Sequence, residues 1–226
     1  MKTWKKVVLI ILAVVIVSLA GLYVWQRENI HALYKAFTTD SETIAQDLED
    51  KRSTHHEALQ EETQVQITVK PVTTQQSNDL IDGKVGAEEV KEQMGVVATP
   101  QVESGTAAAV ATKEDLVNQC VAALYAYKVD VMARLGEMKQ AAVNEWNGLS
   151  KAERTTARKM EISMAGLRKC YDYEVEVDGK VKEILAVYRE KMIGIGEPTG
   201  PIDDLWIYYC DEKEAEKTYY LDKYLN

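Results

Sequence analysis

Phenylalanine is almost missing from this 226-residue chain: Phe37 is its single instance, beside four prolines, three histidines and three cysteines. Each scarcity excludes something. Few prolines and few apolar alternations argue against a β-sandwich, while abundant Ala, Glu, Lys, Val and Leu are helical composition. His31, His55 and His56 all precede residue 57, so no histidine is available for acid–base work in the later chain. Cys120, Cys170 and Cys210 form no C-x-x-C pair, which excludes a thiolate zinc site of the usual spacing. Neither G-x-S-x-G nor H-E-x-x-H occurs, and the Gly194–Gly200 loop lacks the G-K-[ST] ending of a phosphate loop. Basic charge is also short. All 36 acidic residues follow Arg27, with 23 of the 27 lysines and arginines. A body this acidic argues against nucleic acid as a partner.

What the chain does hold begins at its start. Residues 7–25, VVLIILAVVIVSLAGLYVW, carry no charge. At ~1.5 Å per residue they match the ~30 Å hydrocarbon core of a bilayer. Trp4 precedes the run, and Tyr23 and Trp25 close it, as interfacial anchors do. Lys2, Lys5 and Lys6 lie before it and assign residues 1–6 to the cytoplasm, with the body of the chain outside. The expectation is a single-pass, uncleaved signal-anchor in a bacterial cell membrane, with lipid contacted through residues 7–25. Ser18-Leu19-Ala20 also satisfies the small-x-small rule, so cleavage after Ala20 and secretion is the alternative. Lipidation is excluded, because Leu22 stands where the acceptor cysteine would be.

Beyond the span, the fold class reads as all-α. Residues 26–62 read as one juxtamembrane helix, because Ile30, Tyr34, Phe37, Ser41, Ile44, Leu48, Lys51, His55 and Ala58 keep a coiled-coil-like four-three spacing. Residues 63–111 read as a flexible linker. In it Val65, Ile67 and Val69 alternate like a strand but have no credible strand to pair with, and residues 79–94 suggest a short helix weakened by Gly83 and Gly86. Residues 112–226 read as an elongated antiparallel three-helix rod, with helices near 113–147, 151–193 and 202–224. Thr112 with Asp115, and Ser150 with Glu153, supply capping boxes for the first two. The expected core stripe is Leu116, Cys120, Leu124, Val131, Leu135, Met138, Ala142 and Trp146 on the first helix. On the second it is Met160, Met164, Leu167, Tyr171, Val175, Val181, Leu185, Tyr188 and Met192, continuing through Asp178-Gly179. A tight hairpin would set Cys120 level with about residue 177, too far from Cys170 for a disulfide.

No catalytic residue, metal ligand or cofactor is expected. Glu28-x-x-His31 lacks the second motif a di-iron site needs. Adjacent His55 and His56 point about 100° apart on a helix and read as a solvated face. Lys151, Arg154, Arg158, Lys159, Arg168 and Lys169 form a basic stretch, read as an ordinary solvated face with a tip contact to wall polymer or lipid head groups as the functional alternative. The candidate binding surface is aromatic: Trp206, Tyr208, Tyr220 and Tyr224, on a C-terminal helix that also bears Tyr209 and Tyr219. Together these features predict a non-enzymatic structural or interaction protein of the cell envelope, with a protein partner or self-association and no small-molecule substrate. A secreted module that uses the aromatic helix for a carbohydrate or peptide is the alternative.

Overall fold

The computed structural model describes residues 27–96 and 111–225, and every regular element among them is helical. The elements are α1 (Arg27–Thr38), α2 (Ser41–Thr63), α3 (Thr74–Ile81), α4 (Ala87–Met94), α5 (Lys113–Gly148), α6 (Thr156–Gly194) and α7 (Gly200–Leu225). No helix among the described residues is long and apolar enough to cross a membrane. The expected span, residues 7–25, lies outside the described residues, as do residues 97–110 of the expected linker.

The continuous juxtamembrane helix is corrected to two. Thr38-Thr39-Asp40 interrupts it because Asp40 caps the next helix: its carboxylate accepts from the Thr43 amide at 3.2 Å and from the Thr43 hydroxyl at 3.3 Å. The chain then divides inside α2 and again inside α7. One compact unit is Arg52–Tyr208; the other joins the chain up to Lys51 with Tyr209–Asn226. In the latter, Ala32, Ala36, Ile44, Leu48, Ala215 and Leu221 are buried, and Lys35 bonds Asp47 at 2.9 Å.

In the Arg52–Tyr208 unit the stretch after α2 differs from the linker expected there. Val65, Ile67, Val69 and Val72 are buried. The alternation is that of a strand, but what answers its backbone is a side chain. Asn118 Oδ1 accepts from the Thr68 amide at 2.9 Å and hydroxyl at 3.1 Å, and Asn118 Nδ2 donates to the Gln66 carbonyl at 3.1 Å. Lys113 Nζ donates to the Thr63 carbonyl at 3.0 Å and ties the end of α2 to the start of α5. Next come two short helices in place of one near 79–94. A Thr73–Gln76 capping box opens α3, and Gly83 turns the chain at φ +67°. Both pack on α5. Lys139 reaches Asp82 at 2.5 Å and Lys91 reaches Asp130 at 2.7 Å. The approach of α3 is close enough that a Cβ on Gly136 would lie 2.8 Å from the Leu80 carbonyl oxygen.

Helices α5 and α6 form an antiparallel hairpin, with Arg158 on Glu145 at 3.0 Å and Gly166 facing Ala142. Of the expected Ser150–Glu153 box one half is seen, the Glu153 carboxylate accepting from the Ser150 amide at 2.9 Å; the Glu153 amide donates to the Ser150 carbonyl at 3.1 Å, closing a single turn. Helix α6 starts five residues later than expected, after Thr155 caps Arg158. Arg154 meanwhile donates to the Asn147 and Leu149 carbonyls at 2.7 and 3.1 Å, satisfying the end of α5. This broader turn shifts the register. Cys120 faces Tyr188 and Lys191 rather than residue 177. All three cysteines are thiols; Cys120 is buried, and the other two are half-buried.

The core stripes are displaced too. On α5 the buried residues are Leu116, Val117, Cys120, Val121, Val129, Met132 and Gly136, because α3, α4 and α6 all pack on this helix. On α6 they are Ile162, Val177, Val181, Leu185 and Met192, whereas Met160, Met164 and Val175 are exposed. Helix α7 starts alongside α6, with Arg189 paired to Asp203 and Lys182 Nζ 4.7 Å from the Trp206 ring. Beyond Tyr208 it belongs to the other unit, so the expected three-helix rod holds only for the start of α7.

Candidate functional site

The four aromatic candidates fall into two groups. Trp206 and Tyr208 lie in the Arg52–Tyr208 unit; Tyr220 and Tyr224 lie in the other. Trp206 is half-buried beneath the Lys182 ammonium, an arrangement that uses the ring face. Tyr208 is tied more firmly. Its ring stacks on His55 with centroids 4.7 Å apart and planes 20° apart, and its hydroxyl donates to Glu62 Oε2 at 3.1 Å. Burial, then the Glu62 hydrogen bond, then the Glu62 and Asp204 charges push this phenol up to about 12. The same neighbourhood raises the Asp204 carboxyl, through burial first and then the Glu62 and Asp203 charges.

Tyr220 and Tyr224 are an i, i+4 pair. Their rings stack at 6.1 Å and 10°, and Tyr219 meets Tyr220 edge-on at 5.1 Å. Tyr224 is exposed, with Lys223 Nζ 5.2 Å from its ring. Tyr224 is the exposed member of this pair, flanked by a cation; Tyr220 is half-buried with its hydroxyl buried, as Trp206 and Tyr208 are half-buried in their own unit.

His55 and His56 are not the solvated face expected of them. Both are half-buried, each with a buried Nδ1, because the second half of α2 belongs to the packed unit. The pairing of Tyr208 with His55 and Glu62 joins positions 146 residues apart in the case of Glu62, and no local signal in the sequence announces it. Among the described residues no group of three or more His, Cys, Asp or Glu is assembled that could hold a metal ion. Within the basic stretch, Arg154 and Arg158 are engaged at the hairpin turn, and Lys151, Lys159, Arg168 and Lys169 are exposed.

No protein-family model, curated protein or solved structure matches this chain.

Proposed function

We propose that the chain is a single-pass, membrane-anchored helical protein of the bacterial cell envelope, with residues 1–6 cytoplasmic and the helical body outside, serving a structural or partner-recruiting role rather than catalysis. The observation that carries the reading is the uncharged, aromatic-flanked run at residues 7–25, preceded by Lys2, Lys5 and Lys6. The helical body supports it by offering extended packing surfaces. Partner contact falls on Tyr220 and Tyr224, whose paired rings suit the amphipathic contacts that dominate interfaces. Protease applied to intact protoplasts is expected to degrade the body and spare the anchor. Complete protection of the body would reverse the topology.

A second reading rests on Ser18-Leu19-Ala20: a cleaved, secreted module that takes a carbohydrate or peptide on the same aromatic helix. Mass spectrometry of the mature N-terminus separates the two. A chain beginning at Gly21 overturns the anchor, and one retaining Met1–Trp25 overturns secretion.

A further inference from the structure

Two aromatic side chains on α1 are exposed: Tyr34 at 68% and Phe37 at 60%, while Ala32 and Ala36 are buried. At ~100° per residue the midpoints of these two pairs stand ~150° apart around the helix. The alanines therefore mark the packed face and the aromatics the face opposite. By register, Arg27 and Ile30 fall on the aromatic stripe, and Glu28, the helix's single acid, falls on the alanine stripe. The chain's one phenylalanine thus sits on a stripe of aromatic, aliphatic and cationic positions that holds no acid.

This stripe does not run on into α2. In a straight helix Lys35 and Asp47 would stand ~18 Å apart along the axis, beyond the reach of the two side chains. Their 2.9 Å bond requires the chain to bend sharply at Thr38–Asp40. Ile44 and Leu48, which continue the four-three spacing in sequence, are buried beyond that corner. The exposed stripe is therefore confined to the 12 residues of α1, far short of the three or four heptads a coiled coil sustains. That length argues against a second copy of the chain as the occupant. Charge changes at the same corner, since Ser41–Lys51 carries Glu42, Asp47, Glu49 and Asp50 against Lys51 alone. On the other side of α1, the uncharged run of residues 7–25 ends two residues before Arg27.

We infer that α1 lies along the bilayer surface, with Tyr34 and Phe37 set at the boundary between head groups and acyl chains. The inference rests on the membrane-anchored reading of residues 7–25. An anchor that ends at Trp25 leaves α1 two ways to emerge. Continuing along the axis of the span, it would carry Tyr34 ~14 Å and Phe37 ~18 Å past Trp25. The head-group layer is roughly 5–8 Å deep, so both rings would stand in water. Lying flat, α1 keeps both inside that layer, where aromatic rings are favoured. The cation at position 27 suits lipid phosphate, and the Ala32–Ala36 face stays packed on the side away from the bilayer.

Fluorescence quenching of the full-length chain in vesicles of phosphatidylcholine and phosphatidylglycerol tests it. Cys170 and Cys210 are replaced by Ala; Cys120, being buried, is left. An environment-sensitive fluorophore is attached at one new thiol per variant: Tyr34→Cys, Phe37→Cys, Gln46→Cys or Val15→Cys. Each α1 variant keeps the other aromatic. Positions 34, 37 and 46 are exposed, so unchanged helical circular dichroism is the accompanying control. A lipid carrying its quencher at head-group level is expected to quench the labels at 34 and 37 several-fold more than the label at 46. A lipid carrying its quencher deep in the acyl chain is expected to reach position 15. If 34 and 37 are no better quenched by lipid than 46 and are equally open to aqueous iodide, the inference is overturned. Quenching at 15 then leaves the anchor standing, and its absence there overturns both. Quenching at 34 and 37 without quenching at 15 supports the surface contact and overturns the anchor. A disulfide-linked dimer of unlabelled Phe37→Cys chains, with no lipid quenching at 37, would make a second copy the occupant and overturn the inference as well.

Discussion

Gly136 and Gly179 are both glycines inside long helices, and they should respond to alanine in opposite directions. Removing a helix-interior glycine recovers up to about 1 kcal/mol of propensity. Gly179 has nothing within 4 Å of where a Cβ would sit, so Gly179→Ala should collect that gain. At Gly136 the same Cβ would lie 2.8 Å from the Leu80 carbonyl oxygen, 3.0 Å from that of Ile81 and 3.1 Å from the Ile81 Cα. These are backbone atoms, which cannot rotate aside, so α3 has to withdraw from α5. Overpacking of this kind costs about 1–3 kcal/mol. Propensity offsets part of it, and Gly136→Ala should lose about 1 kcal/mol net. Because the propensity gain is common to both, the gap between the variants isolates the steric cost. At 2–4 °C per kcal/mol for a chain of this size, the two melting temperatures should stand at least ~2 °C apart, with wild type between them. Circular-dichroism melts of the full chain in detergent measure this, and hydrogen exchange shows whether residues 74–94 loosen first in Gly136→Ala. If Gly136→Ala stabilises as much as Gly179→Ala, α3 is not seated on α5 and the packing described for residues 63–96 fails with it.

Asn118→Ala removes three hydrogen bonds from the Gln66–Thr68 backbone and side chain, and should cost about 1–3 kcal/mol with faster exchange of the Thr68 amide as its local signature. The Tyr208 phenol is raised to about 12 in the folded chain and is near 10 when unfolded. Below pH 10 both states are protonated and its contribution is complete; between pH 10 and 12 the unfolded chain releases the proton first, so stability falls as pH rises. Tyr208→Phe should remove that share of the alkaline loss, read from urea midpoints across this range. Burial pushes the Cys120 thiol up to about 12. In native protein at pH 8 a thiol-exchange reagent should therefore label Cys120 only on the timescale of unfolding, and prompt modification would show that the α5–α6 seam is open at that level. Tyr224→Ala should leave stability within about 0.5 kcal/mol, as an exposed position does; a partner captured by photo-crosslinking at Tyr220 should be lost in this variant if the aromatic pair binds it.

Much of the helical layout was legible because its signals are local. Thr112 and Asp115 form the capping box their spacing indicates, with the Thr112 hydroxyl accepting from the Asp115 amide and the Asp115 carboxylate accepting from that of Thr112. Helix α6 passes through Asp178-Gly179 without a break, since the apolar repeat keeps phase across the pair. The Thr73–Gln76 box was equally readable and marks a helix start that the apolar pattern alone put several residues later. The failures share a different cause. Val65, Ile67 and Val69 had the alternation of a buried strand, but a strand's ladder has to be completed, and no other strand was visible. The partner is the side chain of Asn118, some fifty residues on, whose amide offers the same donor and acceptor a neighbouring backbone would. A search for strands cannot find it.

The heptad on α6 failed for a more instructive reason. Its repeat is genuine from Val181 to Met192, where the stripe faces α5: Val181, Leu185 and Met192 are buried and Tyr188 is half-buried. N-terminal to Asp178 the same repeat continues onto Met160, Met164, Leu167, Tyr171 and Val175, while the hairpin seam moves to Ile162, Gly166 and Val177. The sequence therefore carries two apolar stripes over residues 156–178 and one thereafter. A single stripe identifies a face but not what covers it. Two stripes on one helix that meets one neighbour require a second neighbour, or leave an apolar face in water at a cost of about 25 cal/mol per Å². The candidate aromatic site follows the same logic. Trp206 and Tyr208 were prominent by composition, yet Lys182, His55 and Glu62 already engage them. Tyr224, one helical turn from the half-buried Tyr220, is the exposed aromatic, where a partner would first be felt.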